Sequence, residues 1–476
     1  MTPSISRQFA RWAVDLSYED LPEEVVEKVK ALVLFHLVAG VFGATDPHAR
    51  RLIELVKGEE PRADGATVLG DGAKVTRGAA AMANCEIAHI AGLWDSYRMI
   101  THPGPVLIAV ALANAELNHK SGREMIVALV AGYEFECRLA DDFVPSTSAQ
   151  GFRPAPIFST MGAAMVAAKL LDLDEDQLVA TIAIAASSAS GLNEPGRIGA
   201  DERAFHEPNA ARQGVFAAQM GSLGHTKGSE TAIEGDAGFY AAYAGSVNGE
   251  LSYVFTGERR IDLASITEGL GSRYKLLTVM FRMYNTSGYN QPVIDLMTEL
   301  VAEHHLQADE IEEVVIFMNY LETLYPSPEF PRFADPSVPR VGSTQFFCAH
   351  AAVNGGFPVV GGRTFGPTGE DLDDDQAVVE FMTDKVRLVG VHDQAMFSPE
   401  ISVRMKAGRT ISGVYPYARM EWMFDELVEN LRRCLPGLPG GASRLDALVA
   451  LVASMDDLDS VGPIVEEMCR AEEPKS

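Results

Sequence analysis

Apolar residues recur at helical spacing through the first half of the chain. In residues 22–43, Val25, Val29, Leu32 and His36 return every three or four positions behind an acidic first turn. This pattern is typical of a helix with one buried face. The segments that follow are rich in Ala and place small residues where helices pack closely. We predict helices over 22–43, 104–118, 123–140, 160–171, 176–192 and 208–222.

The hydrophobic pattern changes near Ser272. Residues 310–319 and 384–391 contain runs of β-forming residues, and residues 400–415 alternate apolar and polar positions around an Ala407-Gly408 turn. Such patterns predict strands. The segment 400–415 is predicted to contain two strands joined in a hairpin at the Ala407-Gly408 turn. Further helices are predicted at 290–305, 345–354, 418–434 and 443–469.

Together these segments predict a mainly α protein with an α+β part. We expect residues 1–270 to form the first part of an all-α helical domain and residues 271–416 a smaller α+β lid domain. Residues 417–476 are expected to form C-terminal helices that rejoin the helical domain. Stretches at 325–343 and 355–375 contain Gly and Pro and are predicted loops, and the acidic run at 371–375 lacks the Gly and the Glu of a calcium loop.

Charge and composition limit the partners of the chain. Its 476 residues carry 39 basic and 66 acidic side chains, a net charge of −27, which argues against binding to nucleic acid or to an anionic membrane. Five cysteines without a CxxC motif make a disulfide framework or a structural zinc site unexpected. The first residues carry no apolar signal segment, and no apolar run is long enough to span a membrane. We therefore expect a cytoplasmic protein.

The stretch from Asn84 to Pro105 is the most informative for chemistry. His102 stands just ahead of a predicted helix, and Asp95 and Ser96 lie in the polar loop before it. A histidine at a helix N-terminus suits acid–base work on an anion. The same residues are equally consistent with a capping loop that holds a structural histidine.

Four further stretches contain basic or aromatic candidates. They carry Arg153, the pair Arg203 and His206, the pair Arg282 and Tyr284, and His350. Arginine binds carboxylates in a bidentate way, but a surface loop, a helix cap or a core histidine explains each stretch as well. Motifs for dinucleotides, P-loop phosphates, serine hydrolases and zinc proteases are absent from the sequence. No metal and no organic cofactor is therefore predicted.

Taken in order, these stretches resemble the MmgE/PrpD family, which includes 2-methylcitrate dehydratases, cis-aconitate decarboxylases and iminodisuccinate epimerases. The resemblance implies a large all-α domain with a smaller α+β lid, and a homodimer. It also implies cofactor-independent chemistry on a small carboxylate substrate, with the active site between the helical domain and the lid. The resemblance to the family rests on residues 84–105, 131–138, 151–154, 162–171, 206–214, 281–287 and 345–350.

Several positions depart from the family pattern. Gly92 stands where the family has an aspartate, and the family's histidine and two lysines are replaced by Arg153, Arg203 and Arg282. His350 stands where the family has a tyrosine on the lid helix. Arginine keeps its positive charge but is a poor proton donor or acceptor. The departures imply that carboxylate binding is kept and that acid–base work has moved to histidines.

We therefore expect His102 to act as base or acid, with His350 facing it from the lid. The full candidate set comprises the catalytic residues His102, His350, His206 and Asp95 and the substrate-binding residues Ser96, Arg153, Arg203, Arg282 and Tyr284.

The predicted function is a cofactor-independent lyase or isomerase that removes a proton from a small carboxylate, in the manner of 2-methylcitrate dehydratase. Because Gly92 replaces an aspartate of the family, activity on the ordinary family substrates is less expected. An epimerase or decarboxylase of a dicarboxylate, an enzyme with another substrate, and a carboxylate-binding protein without activity are alternatives.

Overall fold

A computed structural model describes residues 3–255, 257–324, 338–359, 375–435 and 437–470. Most of the predicted loops at 325–343 and 355–375, with positions 371–374 of the acidic run, lie outside these residues. Among the described helices, none combines the length and the apolar character needed to cross a bilayer.

Long buried helices dominate the first 222 residues. α8 is buried along nearly its whole length and packs against α5, α6, α9 and α11, which explains why its sequence is almost entirely small and apolar. Among the described residues between 223 and 262 there is one short helix, fewer than expected for an all-α domain over residues 1–270. The helices are α1 (Ile5–Asp15), α2 (Glu23–Gly43), α3 (Pro47–Glu59), α4 (Arg77–Ile90), α5 (Pro103–Leu117), α6 (Gly122–Ala140), α7 (Val144–Ala149), α8 (Pro154–Leu170), α9 (Glu175–Ser188), α10 (Glu194–Ile198), α11 (His206–Ser222) and α12 (Phe239–Tyr243).

Two small antiparallel strand pairs accompany these helices, and the sequence predicted neither. β1 (Pro61–Thr67) pairs with β2 (Lys74–Val75), and β3 (Trp94–Ser96) pairs with β4 (Met280–Arg282). The second pair is important for the site because it sets Trp94 opposite Arg282 across almost 190 residues of chain.

The predicted α+β part contains a four-stranded sheet in the order β6-β5-β7-β8. β5 runs parallel to β6 and antiparallel to β7, and β7 and β8 form the predicted hairpin. The mainly α fold with an α+β part is therefore confirmed. The elements are α13 (Asn290–His304), β5 (Ile311–Asn319), α14 (Tyr320–Leu324), α15 (Thr344–Asn354), α16 (Gln376–Lys385), β6 (Val386–Val391), β7 (Glu400–Met405) and β8 (Thr410–Val414).

Three C-terminal helices pack back onto α2. They are α17 (Phe424–Leu431), α18 (Gly441–Ala453) and α19 (Gly462–Cys469). The buried amine of Lys28 on α2 donates to the carbonyl oxygens of Glu421 and Trp422, at 3.0 and 3.1 Å, and so ties the start of this segment to the helices. The division into domains at residues 270 and 416 stays a prediction.

Candidate active site at three helix N-termini

The N-termini of α5, α8 and α11 lie near one another. Arg153 before α8 pairs with Glu207 in the first turn of α11, and both charges act on His102 before α5. His102 directly precedes Pro103 at the start of α5, and Arg153 directly precedes Pro154 at the start of α8. Proline fits the first position of a helix and keeps the residue before it out of the helix. The amide groups and dipoles at such helix ends favour anions.

The ring of His102 is held in one tautomer. Its Nδ1 lies 3.0 Å from the backbone carbonyl oxygen of Asp95 and 3.0 Å from Oγ of Ser96. A carbonyl oxygen only accepts, so Nδ1 carries the proton and Nε2 keeps its lone pair. Burial, helped by the charges of Arg282 and Arg153, lowers the pKa of His102 well below its usual value. His102 is therefore neutral at pH 7 and can accept a proton at Nε2.

The loop between β3 and α5 has an uncommon backbone. Arg98 and Ile100 adopt left-handed conformations with φ of 55° and 70°, which is unfavourable for a β-branched residue. The carboxylate of Asp141 holds this loop. It accepts hydrogen bonds from the Tyr97 hydroxyl and the Arg98 Nε, both at 2.9 Å, and from the Lys275 amine at 2.6 Å. The anchored loop fixes where α5 begins.

The side chain of Asp95 faces away from the His102 ring. Its carboxylate accepts the backbone N–H of Gly104, at 2.9 and 3.0 Å, and the hydroxyl of Tyr133 at 2.8 Å. His36 packs against the same carboxylate at 3.4 Å, and a Cβ at residue 104 would lie 1.9 Å from its Nε2. The carboxylate therefore caps α5, and only the backbone carbonyl of Asp95 orients His102.

Trp94 lies between two histidines and an arginine. Its ring stacks on His89 with centroids 4.6 Å apart, and it meets the His102 ring at 4.8 Å. The guanidinium of Arg282 lies 4.6 Å from the centre of the Trp94 ring, within the range of a cation–π contact. Burial lowers the pKa of His89 to about 4, so this histidine is also neutral at pH 7.

Arg153 and Glu207 form a buried ion pair beside His89. Nη1 of Arg153 lies 2.5 Å from Oε1 of Glu207, and Oε2 of Glu207 lies 3.4 Å from Nε2 of His89. Burial alone would raise the pKa of Glu207, but the charge of Arg153 outweighs it and lowers the pKa to about 2. The charge of Arg153 is thus balanced inside the protein, which argues for an orienting role rather than a free carboxylate clamp.

Arg203 and His206 lie at the edge of this cluster. Arg203 sits in a partly exposed 3-10 turn, Asp201–Phe205, and no carboxylate among the described residues forms an ion pair with it. Half-buried His206 opens α11, and burial lowers its pKa. Both residues are partly exposed to solvent.

The hydrogen bonds of Tyr284 and His350 go to residues other than His102. The Tyr284 hydroxyl donates to Asp295 at 2.8 Å and accepts from Arg433 at 2.7 Å. His350 lies on α15, with Nδ1 2.7 Å from the carbonyl oxygen of Gly356. Within the described part of the chain, no hydrogen bond or ring contact joins His350 to Trp94 or His102, and the expected pair of facing histidines stays a prediction.

The candidate set from the sequence omits His89, Trp94 and Glu207, which the structure places at the centre. One signal for Glu207 is available in the sequence, because an arginine buried at a helix start needs an acidic partner and Glu207 follows His206 directly. Across the described ranges, no group of three or more His, Cys, Asp or Glu side chains could hold a metal ion.

Residues 7–251 match the model of the MmgE/PrpD N-terminal domain. The chain belongs to the MmgE/PrpD family. The resemblance seen in the sequence is thereby confirmed. The matched region of this MmgE/PrpD chain contains His102, Arg153 and His206, whereas Arg282 and His350 lie beyond it.

Curated relatives are similar at low identity. A cis-aconitate decarboxylase-like protein of Aspergillus oryzae is 24% identical over 309 residues, which cover 62% of this chain and 61% of the relative. A cis-aconitate decarboxylase of Aspergillus terreus is 23% identical over 303 residues, or 62% of this chain and 60% of the relative. The human cis-aconitate decarboxylase is 28% identical over 250 residues, 51% of each chain. The chain thus matches between half and six tenths of the length of these relatives.

Proposed function

We propose that the protein is a lyase that acts on a small carboxylate without a metal or organic cofactor, and that His102 removes a proton to start the reaction. The observation that carries this proposal is the hydrogen bond from Nδ1 of His102 to the carbonyl oxygen of Asp95, 3.0 Å long. It leaves the lone pair on Nε2, and the lowered pKa keeps that atom unprotonated at neutral pH.

The proposed substrate carboxylate binds between the helix N-termini, Arg282 beside Trp94 and Arg203 at the edge of the cluster. Arg203 and Arg282 supply positive charge there, while Arg153 is already balanced by Glu207. When Nε2 takes the proton next to the carboxylate, the C–H electron pair passes into an enediolate that the cations stabilise. The pair then returns to form a double bond as a group on the neighbouring carbon leaves with its bonding electrons. A homodimer is proposed from the family resemblance alone, and a cytoplasmic location is likewise a proposal.

A decarboxylase is the second candidate, because the named relatives are cis-aconitate decarboxylases. That reaction needs a proton donor for the carbanion, a task for which a neutral His102 is less suited than for proton removal. An epimerase needs acid–base groups on both faces of one carbon, and His102 supplies only one of them unless a second group such as His350 faces it. A binding protein without activity is the remaining alternative.

The test is proton NMR in D2O with citrate-, methylcitrate-, aconitate- and aspartate-related acids after treatment of the protein with a chelator. We expect deuterium exchange or an elimination product with at least one acid, and a loss of about a thousandfold in His102→Gln. His225→Gln, which changes an exposed histidine, is the matched control and should retain full activity. Carbon dioxide release would favour the decarboxylase. An unchanged rate in His102→Gln would remove His102 from the mechanism, and no reaction with any acid would favour the binding protein.

A further inference from the structure

The buried pair of Arg153 and Glu207 carries no net charge. Arg153 is 2% exposed and Glu207 is fully buried, and the pKa of about 2 keeps Glu207 ionised. Among the described residues, Arg153 has no second carboxylate partner and Glu207 has no second arginine or lysine partner. The negative charge of Glu207 therefore cancels the positive charge of Arg153 before any ligand binds.

Close packing of α8 and α11 places this pair at the site. A Cβ at Gly214 on α11 would lie 2.3 Å from the Cβ of Ala163 on α8, so the missing side chain lets the two helices touch. Arg153 directly precedes α8, and Glu207 lies in the first turn of α11. The carboxylate of Glu207 thus stands where a buried arginine and two helix N-termini would otherwise favour an anion from outside.

His89 adds unused polar atoms to this end of the site. It is 4% exposed, and neither ring nitrogen forms a hydrogen bond within the described part of the chain. Nε of Arg153 is likewise buried without a hydrogen-bond partner among the described residues. Because burial lowers the pKa of His89 to about 4, its neutral ring offers one N–H donor and one lone pair. Buried donors and acceptors are unfavourable when left unsatisfied, so a ligand group that both donates and accepts fits here.

His89 lies among three positively charged side chains, Arg153, Arg203 and Arg282. Besides burial, the charges of these arginines lower the pKa of His89, which places all three within reach of its ring. Glu207 cancels one of the three charges, so a substrate carboxylate has those of Arg203 and Arg282. A second carboxylate beside Arg153 would put two negative charges next to one arginine, and like charges repel. A neutral group at that end avoids the repulsion.

We propose that Glu207 determines specificity for acids that carry one carboxylate and, at the other end, a neutral hydrogen-bonding group such as an amide. The inference rests on the proposed function, in which Arg203 and Arg282 hold the carboxylate next to the reacting carbon. The amide oxygen then accepts from Nε of Arg153, and an amide N–H donates to the lone pair of His89. Glu207 contributes its charge and neither gains nor loses a proton.

The test compares a monoamide with the diacid of the same shape, in the pairs succinamate with succinate and fumaramate with fumarate. An amide and a carboxylate are nearly equal in size, so each pair differs mainly in one charge. Ligand-observed NMR titration of the full chain at neutral pH gives both affinities. We expect the monoamide to bind about tenfold more tightly within a pair, because the diacid brings a like charge to Glu207.

Glu207→Gln should reverse this preference, because the charge of Arg153 is then no longer cancelled. In this variant the diacid should bind about tenfold more tightly than the monoamide, through a charge-assisted hydrogen bond. Succinate should also raise its melting temperature more than succinamate does.

A double variant serves if Glu207→Gln alone does not fold. Glu207→Gln with Arg153→Met removes both charges and keeps the region balanced. The diacid should gain no preference there, and the preference for the monoamide should fall to about threefold or less.

Glu202→Gln is the matched control, because it removes the same charge from an exposed position just before α11. It should keep the preference of the unaltered chain. Tighter binding of the diacids to the unaltered chain, or an undiminished preference for the monoamides in the double variant or in folded Glu207→Gln, overturns the inference and leaves the lyase proposal in place. A monoamide preference without turnover of any acid supports the inference and overturns the lyase proposal. If no acid of either pair binds, both fail.

Discussion

Glu207 and Glu322 are both buried glutamates, yet their acid–base properties are opposite. Glu207 lies in the helical region beside Arg153 and has a pKa of about 2. Glu322 lies in the α+β region on α14, where burial raises its pKa to about 8. Among the described residues, its hydrogen bonds come from backbone N–H groups, including that of Phe397 at 2.7 Å. A nearby buried cation thus decides whether a buried carboxyl group is charged.

The two regions use their histidines in an equally different way. His102 has one ring nitrogen fixed by the protein and the other turned to a cluster that contains Arg282 and Trp94. His350 is bonded within its own segment, to Gly356 and, at 3.4 Å, to the Asn354 amide. The comparison teaches that the helical region concentrates buried charge around one oriented base, whereas the α+β region uses comparable residues to stabilise its own fold.

Removing the charge of Glu207 is expected to have the largest effect on stability. Glu207→Gln leaves Arg153 buried without a counterion, which costs about 3–5 kcal/mol in the free energy of unfolding. Denaturant unfolding followed by circular dichroism measures this loss. Low pH should also destabilise the unaltered chain. The lowered pKa of Glu207 stabilises the fold fully above its ordinary value of 4.5, and this stabilisation is lost as the pH falls towards 2.

Two controls separate the ion pair from the mutation itself. Glu202→Gln changes an exposed glutamate just before α11 and should shift stability by less than about 0.5 kcal/mol. The double variant Glu207→Gln, Arg153→Met removes both charges and should recover part of the loss. A fall of under about 1 kcal/mol in Glu207→Gln would mean that Arg153 does not depend on this partner.

Local sequence pattern was enough for much of the fold. The helix predicted at 22–43 is observed at Glu23–Gly43, and the strands predicted at 310–319 and 400–415 are present. β3 and β4 were missed because each has only three residues, too few to show alternation. Their pairing depends on packing between segments far apart in sequence.

The site was predictable only where it follows from local chain geometry. His102 was proposed because it stands just ahead of a predicted helix, and Arg153 because arginine binds carboxylates. The structure places each directly before a proline at a helix start. Asp95 and Ser96 are adjacent strand residues, and their side chains point to opposite faces, so one caps α5 and the other contacts His102. Which of the two faces the ring depends on tertiary packing, and the same holds for the choice of Glu207 as the partner of Arg153.

The raised pKa of Glu322 predicts that the α+β region weakens as the pH rises. For a carboxyl group whose pKa is raised, the stabilisation is complete below about 4.5 and is lost as the pH rises through 8. Between pH 5 and 8 the opening free energy of amides near Phe397 should fall by about 2–4 kcal/mol. Hydrogen exchange at several pH values, corrected for intrinsic rates, measures it. In Glu322→Gln the opening free energy should no longer depend on pH in this range. If the pH dependence persists in this variant, another titrating group causes it.

The lowered pKa of His102 predicts a flat pH profile for the reaction. A base whose pKa lies well below 6.5 is already unprotonated at pH 6, so kcat/KM should change less than about twofold between pH 6 and 8. Initial rates with an acid that the NMR screen identifies as a substrate measure the profile. An acid limb near pH 6.5 would contradict the assignment, because it would require a base that burial has not perturbed.

The smallest effect is expected at His350. His350→Gln removes the contact between Nδ1 and the Gly356 carbonyl oxygen just beyond the end of α15, so exchange of amides in the last turn of α15 should quicken. Because the ring nitrogens of His350 are engaged within their own segment, kcat/KM should stay within about twofold of the unaltered chain. A tenfold loss in a protein that melts normally would place His350 in the catalytic machinery and reopen the case for a second acid–base group and for epimerisation.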